Sequence, residues 1–304
     1  MNVIDLLVRR QSRKEQLRSV LKVDLYGLEK IFGLNVGDGD LVVIFGQPKA
    51  GKTTVALNWA WRIAKGGYPV TVAATESVMT AERYALMLLA LEATDILFSN
   101  EYYGDSLSAS ILDTILLSDD PAAFCKSRGK PHVWEAIELA ISNMSQYSVD
   151  IYGASLEDGG MVNAENLFSL MRRLESPCVF VLDQVSQVSL PGDLDPAPSA
   201  IKVMKELARI IKENKLAAIV LSQVSTISSR EGKDAPLGGN LIVAEANLGV
   251  KPLRNGDELV LTSPPLFSRS TPPFSVVYRI DPISGLMLGY TIAGQAGGKS
   301  EYGI

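Results

Sequence analysis

The segment Gly46-Gln47-Pro48-Lys49-Ala50-Gly51-Lys52-Thr53, with Thr54 next, carries the spacing Gly-x-x-x-x-Gly-Lys-Thr. Its glycines let the backbone curl until several N–H groups point inward, which is what a loop that grips an anion needs. The lysine adds a positive charge on a flexible stem, and the hydroxyl after it suits a hard cation. The stretch Gly46–Thr54 therefore predicts a site for ATP with Mg²⁺, Lys52 meeting the β- and γ-phosphates and Thr53 the metal. A metal-side carboxylate belongs at the end of a buried strand, and Val179-Phe180-Val181-Leu182-Asp183 supplies one in Asp183, acting through water. Hydrolysis also needs a group that orients the attacking water. Glu76 ends an apolar run whose neighbours from Val70 to Ser77 are uncharged, and it is placed to do so.

Other chemistries are excluded by what is scarce. His132 is the only histidine among 304 residues, which removes histidine triads and histidine-rich metal sites. Cys125 and Cys178 are too few and too isolated for a disulfide framework or a metal cluster. The net charge of −5 argues against a surface that coats nucleic acid non-specifically. It leaves room for a local basic channel: from Ser199 to Lys233 there are seven basic residues (Lys202, Lys205, Arg209, Lys212, Lys215, Arg230, Lys233) against three acids. A solvated helix face explains most of them equally well. No run approaches the roughly 18 apolar residues of a membrane span, and the N-terminus lacks a signal-peptide pattern, so a cytoplasmic protein without membrane contact is expected.

The elements that must position these residues follow from periodicity. Leu41–Phe45 reads as a buried strand and the glycine-rich loop leaves it directly, opening a helix through Trp61. Pro69–Ala74 is the next strand, followed by a helix from about Thr80 to Leu91. Residues 95–150 read as a helical elaboration, with Trp134, Ile137, Ile141 and Met144 on one face. Strands at Val149–Tyr152, Cys178–Leu182 and Ala217–Leu221 alternate with helices at Ala164–Leu174 and Ser199–Asn214. The 47% hydrophobic residues suffice for a large core. This alternation predicts an α/β fold with a mainly parallel twisted sheet covered by helices on both faces. After Gln223 the pattern changes to short strands broken by Pro264-Pro265 and Pro272-Pro273, a C-terminal antiparallel extension. Residues 1–22, with six basic and two acidic side chains, form a basic amphipathic arm ahead of a domain spanning 23–304.

Read in order, Gly46–Thr53, Thr75-Glu76-Ser77, Leu182-Asp183-Gln184 and Leu221-Ser222-Gln223 resemble the RecA superfamily, and more narrowly the motor domain of DnaB-type replicative helicases. Glu76-Ser77-Val78-Met79-Thr80-Ala81-Glu82, Trp134 and Met204-Lys205-Glu206-Leu207-Ala208 are similar to that family as well, and the similarity spans roughly residues 24–225. The resemblance implies a RecA-like P-loop fold with Glu76 as the catalytic carboxylate. It makes Gln223 a sensor of the γ-phosphate that signals to the DNA-binding loops. It further implies a homo-oligomeric ring, hexameric in that family's manner, with single-stranded DNA in the pore and replication or recombination proteins as partners. The family's late-strand Lys-x-Arg pair is missing from Val277-Tyr278-Arg279-Ile280, which leaves Arg279 as the first candidate to reach a neighbouring subunit, ahead of Arg269 and Arg254. DNA contact falls on the loops Ser189–Ser199 and Ser225–Asn240, with Lys202, Arg230 and Lys233 as the basic contacts and no aromatic residue for stacking.

Two other readings stand beside the helicase. Pro236-Leu237-Gly238-Gly239-Asn240 resembles the end of the second DNA-binding loop of RecA and RadA recombinases, which implies a recombinase or mediator filament. The acidic first loop and the missing Lys-x-Arg pair suit an ATP switch of the KaiC type, or a helicase-accessory protein, that does not translocate.

Overall fold

A computed structural model describes residues 39–75, 80–153, 162–190, 196–224, 236, 240–263, 274–292 and 299–300. In chain order the strands are β1 Leu41–Gly46, β2 Val70–Ala74, β3 Val149–Gly153, β4 Val162–Asn163, β5 Val179–Asp183, β6 Val188–Ser189, β7 Ala217–Gln223, β8 Leu248–Asn255, β9 Glu258–Ser263, β10 Phe274–Ile280, β11 Met287–Ile292 and β12 Lys299–Ser300. The helices are α1 Lys52–Lys65, α2 Ala81–Ser99, α3 Ala109–Leu116, α4 Pro121–Ser127, α5 Pro131–Met144, α6 Ala164–Arg173, α7 Pro196–Glu213 and α8 Asn240–Ala244.

Every residue of β1, β2 and β5 is buried, as continuous apolar strands covered on both faces must be. Alternate side chains of β1 feed two cores: Val42 and Ile44 pack with α1, α2 and the α3–α5 helices, whereas Leu41, Val43 and Phe45 pack with α6 and α7. The ten-stranded sheet runs β12-β11-β10-β9-β8-β1-β7-β5-β2-β3. From β8 to β3 all neighbours are parallel, and from β8 to β12 all are antiparallel. β4 and β6 pair separately. The mainly parallel sheet with its antiparallel extension is the architecture expected from the alternating pattern.

Two local expectations are corrected, and one open choice is narrowed. The helix after β2 runs past Leu91 to Ser99, because the acidic Glu92 that follows the apolar stretch is buried and hydrogen-bonded within the helical layer. Ile141 is 45% exposed, while Trp134, Ile137 and Met144 do pack against the core, together with the buried Val133, Ala136 and Ala140 of α5. Arg209 bonds to Glu206 and Glu213 within α7, while Arg172 bonds to Glu206, so the positive charge of Arg209 is locally balanced. Among the described residues no helix is long and apolar enough to cross a membrane. The arm 1–22 lies outside the described residues.

Candidate functional site

β1, β7, β5 and β2 are consecutive neighbours, and the chemistry-bearing residues lie at their C-terminal ends. Gly46 at the end of β1 is in register with Gln223 at the end of β7. Asp183 ends β5 opposite Ala74 of β2, and the Thr75 N–H donates to the Asp183 carbonyl at 2.7 Å. Carboxyl ends of parallel strands are where α/β sheets bind ligands, because the loops leaving them open a crevice above the sheet. Glu76 follows Thr75 in sequence and lies outside the described residues.

The loop from Gly46 to Gly51 turns into α1 through backbone that only special conformations allow. Lys49 has φ 65° and Gly51 φ 95°. A side chain at Gly51 would also come within 2.8 Å of Leu259 Cδ1, so the position needs glycine on both counts. Gly51 caps α1 with no side-chain hydrogen bond, and the first turn of α1 has no acidic residue. The helix thus begins with N–H groups and dipole facing the loop, an arrangement that favours an anion. Lys52 Nζ folds over the loop, donating to the carbonyls of Gly46 at 3.0 Å and Gln47 at 2.9 Å.

Next to it, the Thr53 hydroxyl donates to Asp183 Oδ2 at 2.8 Å, and the Tyr84 hydroxyl donates to the same oxygen at 2.7 Å. Asp183 is 3% exposed. Burial pushes its carboxyl above the ordinary range, opposed by the Tyr84 and Thr53 hydrogen bonds and by the charge of Lys52. Hydroxyl and carboxylate oxygens are hard donors, so Thr53 and Asp183 are a donor set that would suit Mg²⁺. Thr75 braces the strand end: its hydroxyl accepts from the Gln184 N–H and donates to the Gln184 carbonyl at 2.7 Å.

The other expected residues are spread around this centre. Gln223 is half-buried at the edge of the loop, and the Val224 N–H donates to the Gly46 carbonyl at 3.3 Å. Val224 also pairs with Pro236 in an antiparallel bridge, and Arg230 and Lys233 lie outside the described residues. Lys202 is exposed on α7. Arg279 is exposed on β10, between the buried Tyr278 and Ile280, and so points away from the core that contains α1. Arg269 lies outside the described residues. Arg254, the third candidate for reaching a neighbour, has its Cβ 3.9 Å from the position a Gly51 side chain would take, and its Nε donates to the Gly256 carbonyl at 3.3 Å. Sequence reasoning misses the hydrogen bonds that Tyr84 and Thr75 contribute to this site. Nothing local distinguishes Tyr84 from an ordinary core tyrosine of α2.

This sheet order, with a phosphate loop after β1 and a strand-end carboxylate beside it, defines a RecA-type P-loop architecture. No family model and no curated protein matches the sequence. Among solved structures, the chain is similar to the one described as a DnaB-like replicative helicase and its interactions with primase, at TM-score 0.64 and 14% identity over 83% of this chain and 57% of that one. It is similar also to a second solved structure, described as an ATPase domain, at TM-score 0.64 and 14% identity over 94% of this chain and 98% of that one. The chain has the DnaB-like RecA fold, and it spans little more than half the length of the first of these structures.

Proposed function

We propose that this protein is a DnaB-like ATPase that hydrolyses ATP with Mg²⁺ to translocate on single-stranded DNA and separate duplexes. The observation that carries the reading is the contact of Thr53 with the buried Asp183 at the head of α1, where a hydroxyl and a carboxylate share one position beside a phosphate loop. A fully buried carboxylate costs stability unless a partner offsets it, and two hydroxyl donors offset only part of that cost.

In this reading the N–H groups of Gly46–Thr54 and Lys52 hold the triphosphate. Thr53 and Asp183 hold Mg²⁺, which when bound neutralises charge on the β- and γ-phosphate oxygens. Glu76 takes the proton of the attacking water. Gln223 senses the γ-phosphate, and its neighbour Val224 passes the change to the loop that begins there. Arg279, exposed on β10, completes the site of an adjacent subunit in a hexameric ring, and Lys202, Arg230 and Lys233 contact DNA phosphates. A single domain over 23–304 carries this machinery, with the basic arm 1–22 ahead of it and replication or recombination proteins as partners.

Strand displacement on a forked duplex tests the reading. The wild type separates the strands with Mg·ATP and Lys52→Ala does not. A wild type that hydrolyses ATP, stays monomeric by mass with ATP and DNA present, and displaces no strand contradicts the motor and favours the ATP switch.

A further inference from the structure

We infer that Asn58 is a positioning residue that fastens the phosphate-loop helix to the β10–β11 turn, so that the placement of Thr53 depends on that turn. The inference rests on the ATPase reading above.

Asn58 lies on α1, in the turn after Thr53 and Thr54, and is 1% exposed. Its amide nitrogen donates to the Thr54 carbonyl at 2.9 Å and to the Gly285 carbonyl at 3.0 Å. Its amide oxygen accepts from the Met287 N–H at 3.0 Å. Three hydrogen bonds thus tie one side chain to the head of α1 on one side and to two backbone groups of the 285–287 turn on the other. An apolar side chain of equal size would fill the space and leave the Gly285 carbonyl and the Met287 N–H unpaired in the core. Asparagine fixes both groups in direction as well as distance.

The turn is itself stiff, which is what a fixed reference point requires. Asp281, also buried, accepts from the Ser284 N–H and hydroxyl, each at 2.6 Å, and from the Ile283 N–H at 3.2 Å. Its other oxygen accepts from the Ser106 hydroxyl at 2.8 Å, which anchors the turn to the loop before α3. Gly285 has φ 79°, and a side chain there would meet Thr54 Cγ2 at 3.2 Å. Turn and helix are therefore in contact at Thr54, the neighbour of the metal-side hydroxyl, and are locked one turn further on by Asn58. Reacting groups held by a phosphate loop tolerate little displacement, since a shift of about 1 Å can cost on the order of a hundredfold in rate.

The test compares wild type, Asn58→Ala, Gly285→Ala and Glu92→Gln for ATP turnover, binding of a fluorescent ATP analogue, and hydrogen exchange in peptides covering 281–288. Asn58→Ala is expected to lower kcat about tenfold or more while KM and analogue affinity change less than about threefold. Gly285→Ala, which pushes on the same contact from the other side, moves kcat in the same direction. Glu92→Gln, remote from the site, lowers the melting temperature and leaves kcat unchanged. In wild type a non-hydrolysable ATP analogue slows exchange in 281–288, and in Asn58→Ala that protection is lost. An Asn58→Ala protein that is folded by circular dichroism, keeps its kcat and keeps nucleotide-linked protection of the turn overturns the positioning role alone. A wild type that binds no nucleotide overturns the ATPase reading and this role with it.

Discussion

Replacing Asp183 by Asn separates what this residue does for the fold from what it does for chemistry. The side chain is buried, and Thr53 and Tyr84 both donate to Oδ2. Asparagine has nearly the same shape and can place its carbonyl oxygen where Oδ2 stands, so both hydroxyl bonds survive at roughly their neutral strength of about 1 kcal/mol each. Burial holds the folded carboxyl above its ordinary value of 3.8. A raised carboxyl favours the folded state only below the unfolded value, and that contribution is lost as pH rises through the folded one. Above the folded value the wild type carries a buried charge that the Asn variant lacks, so there the variant should melt at the same temperature or higher. Its advantage should shrink as pH falls toward 3.8. Activity should move the other way: losing the metal-side charge removes about 3–4 kcal/mol of transition-state stabilisation, or roughly two to three powers of ten in turnover. The assays are thermal melting across pH and Mg²⁺-dependent ATP hydrolysis. A variant that melts far lower yet still hydrolyses ATP at the wild-type rate would show that Asp183 is a structural residue and that the metal is held elsewhere.

Four further outcomes are expected. Glu92 is wholly buried and accepts from Trp61 Nε1 at 2.7 Å, Asn143 at 2.8 Å and Tyr147 at 3.2 Å; Glu92→Gln turns one acceptor into a donor facing a donor and should cost about 1–3 kcal/mol in chemical denaturation. Partial burial works to raise the Asp105 carboxyl, but the hydrogen bonds and charges of Lys130 and His132 outweigh it and hold it below 3.8. Its stabilising effect is therefore complete above 3.8 and lost as pH falls from there through the folded value, so Asp105→Asn should show a shallower acid-side loss of stability than wild type. Arg254→Ala truncates a side chain whose Cβ lies beside Gly51 and whose Nε donates to the Gly256 carbonyl at 3.3 Å, and it should raise KM for ATP up to about tenfold with a smaller effect on kcat, in steady-state kinetics. Arg279→Ala should leave nucleotide affinity unchanged and lower kcat by about 10³, since a charge supplied by a neighbour acts on the transition state.

Features encoded by short spacing are legible in the amino-acid sequence. The phosphate loop needs glycines at fixed offsets, and Asp183 closes an apolar run too short and too β-branched for a helix, so both can be placed before any contact is known. The alternation of strands and helices likewise points to the parallel sheet. Features made by distant partners are not legible. Tyr84 gains its role from Asp183, 99 positions away, and Asn58 from Gly285, 227 positions away. Glu92 gives no local sign of burial, because its three donors lie on α1, α5 and the segment just beyond α5. The closeness of the Arg254 Cβ to Gly51 is likewise set by a strand's register against the loop, which one sequence does not show. Trp134, by contrast, belongs to the insertion helices as its sequence context suggests, and it packs against the core from α5.

The most direct test of the central claim is steady-state ATP hydrolysis at low salt with Mg²⁺, measured with and without single-stranded DNA. The account predicts turnover that single-stranded DNA stimulates, that Lys52→Ala abolishes, and that Glu76→Gln reduces to background. Turnover indifferent to single-stranded DNA would contradict a DNA motor, and turnover that survives Lys52→Ala would contradict the site itself.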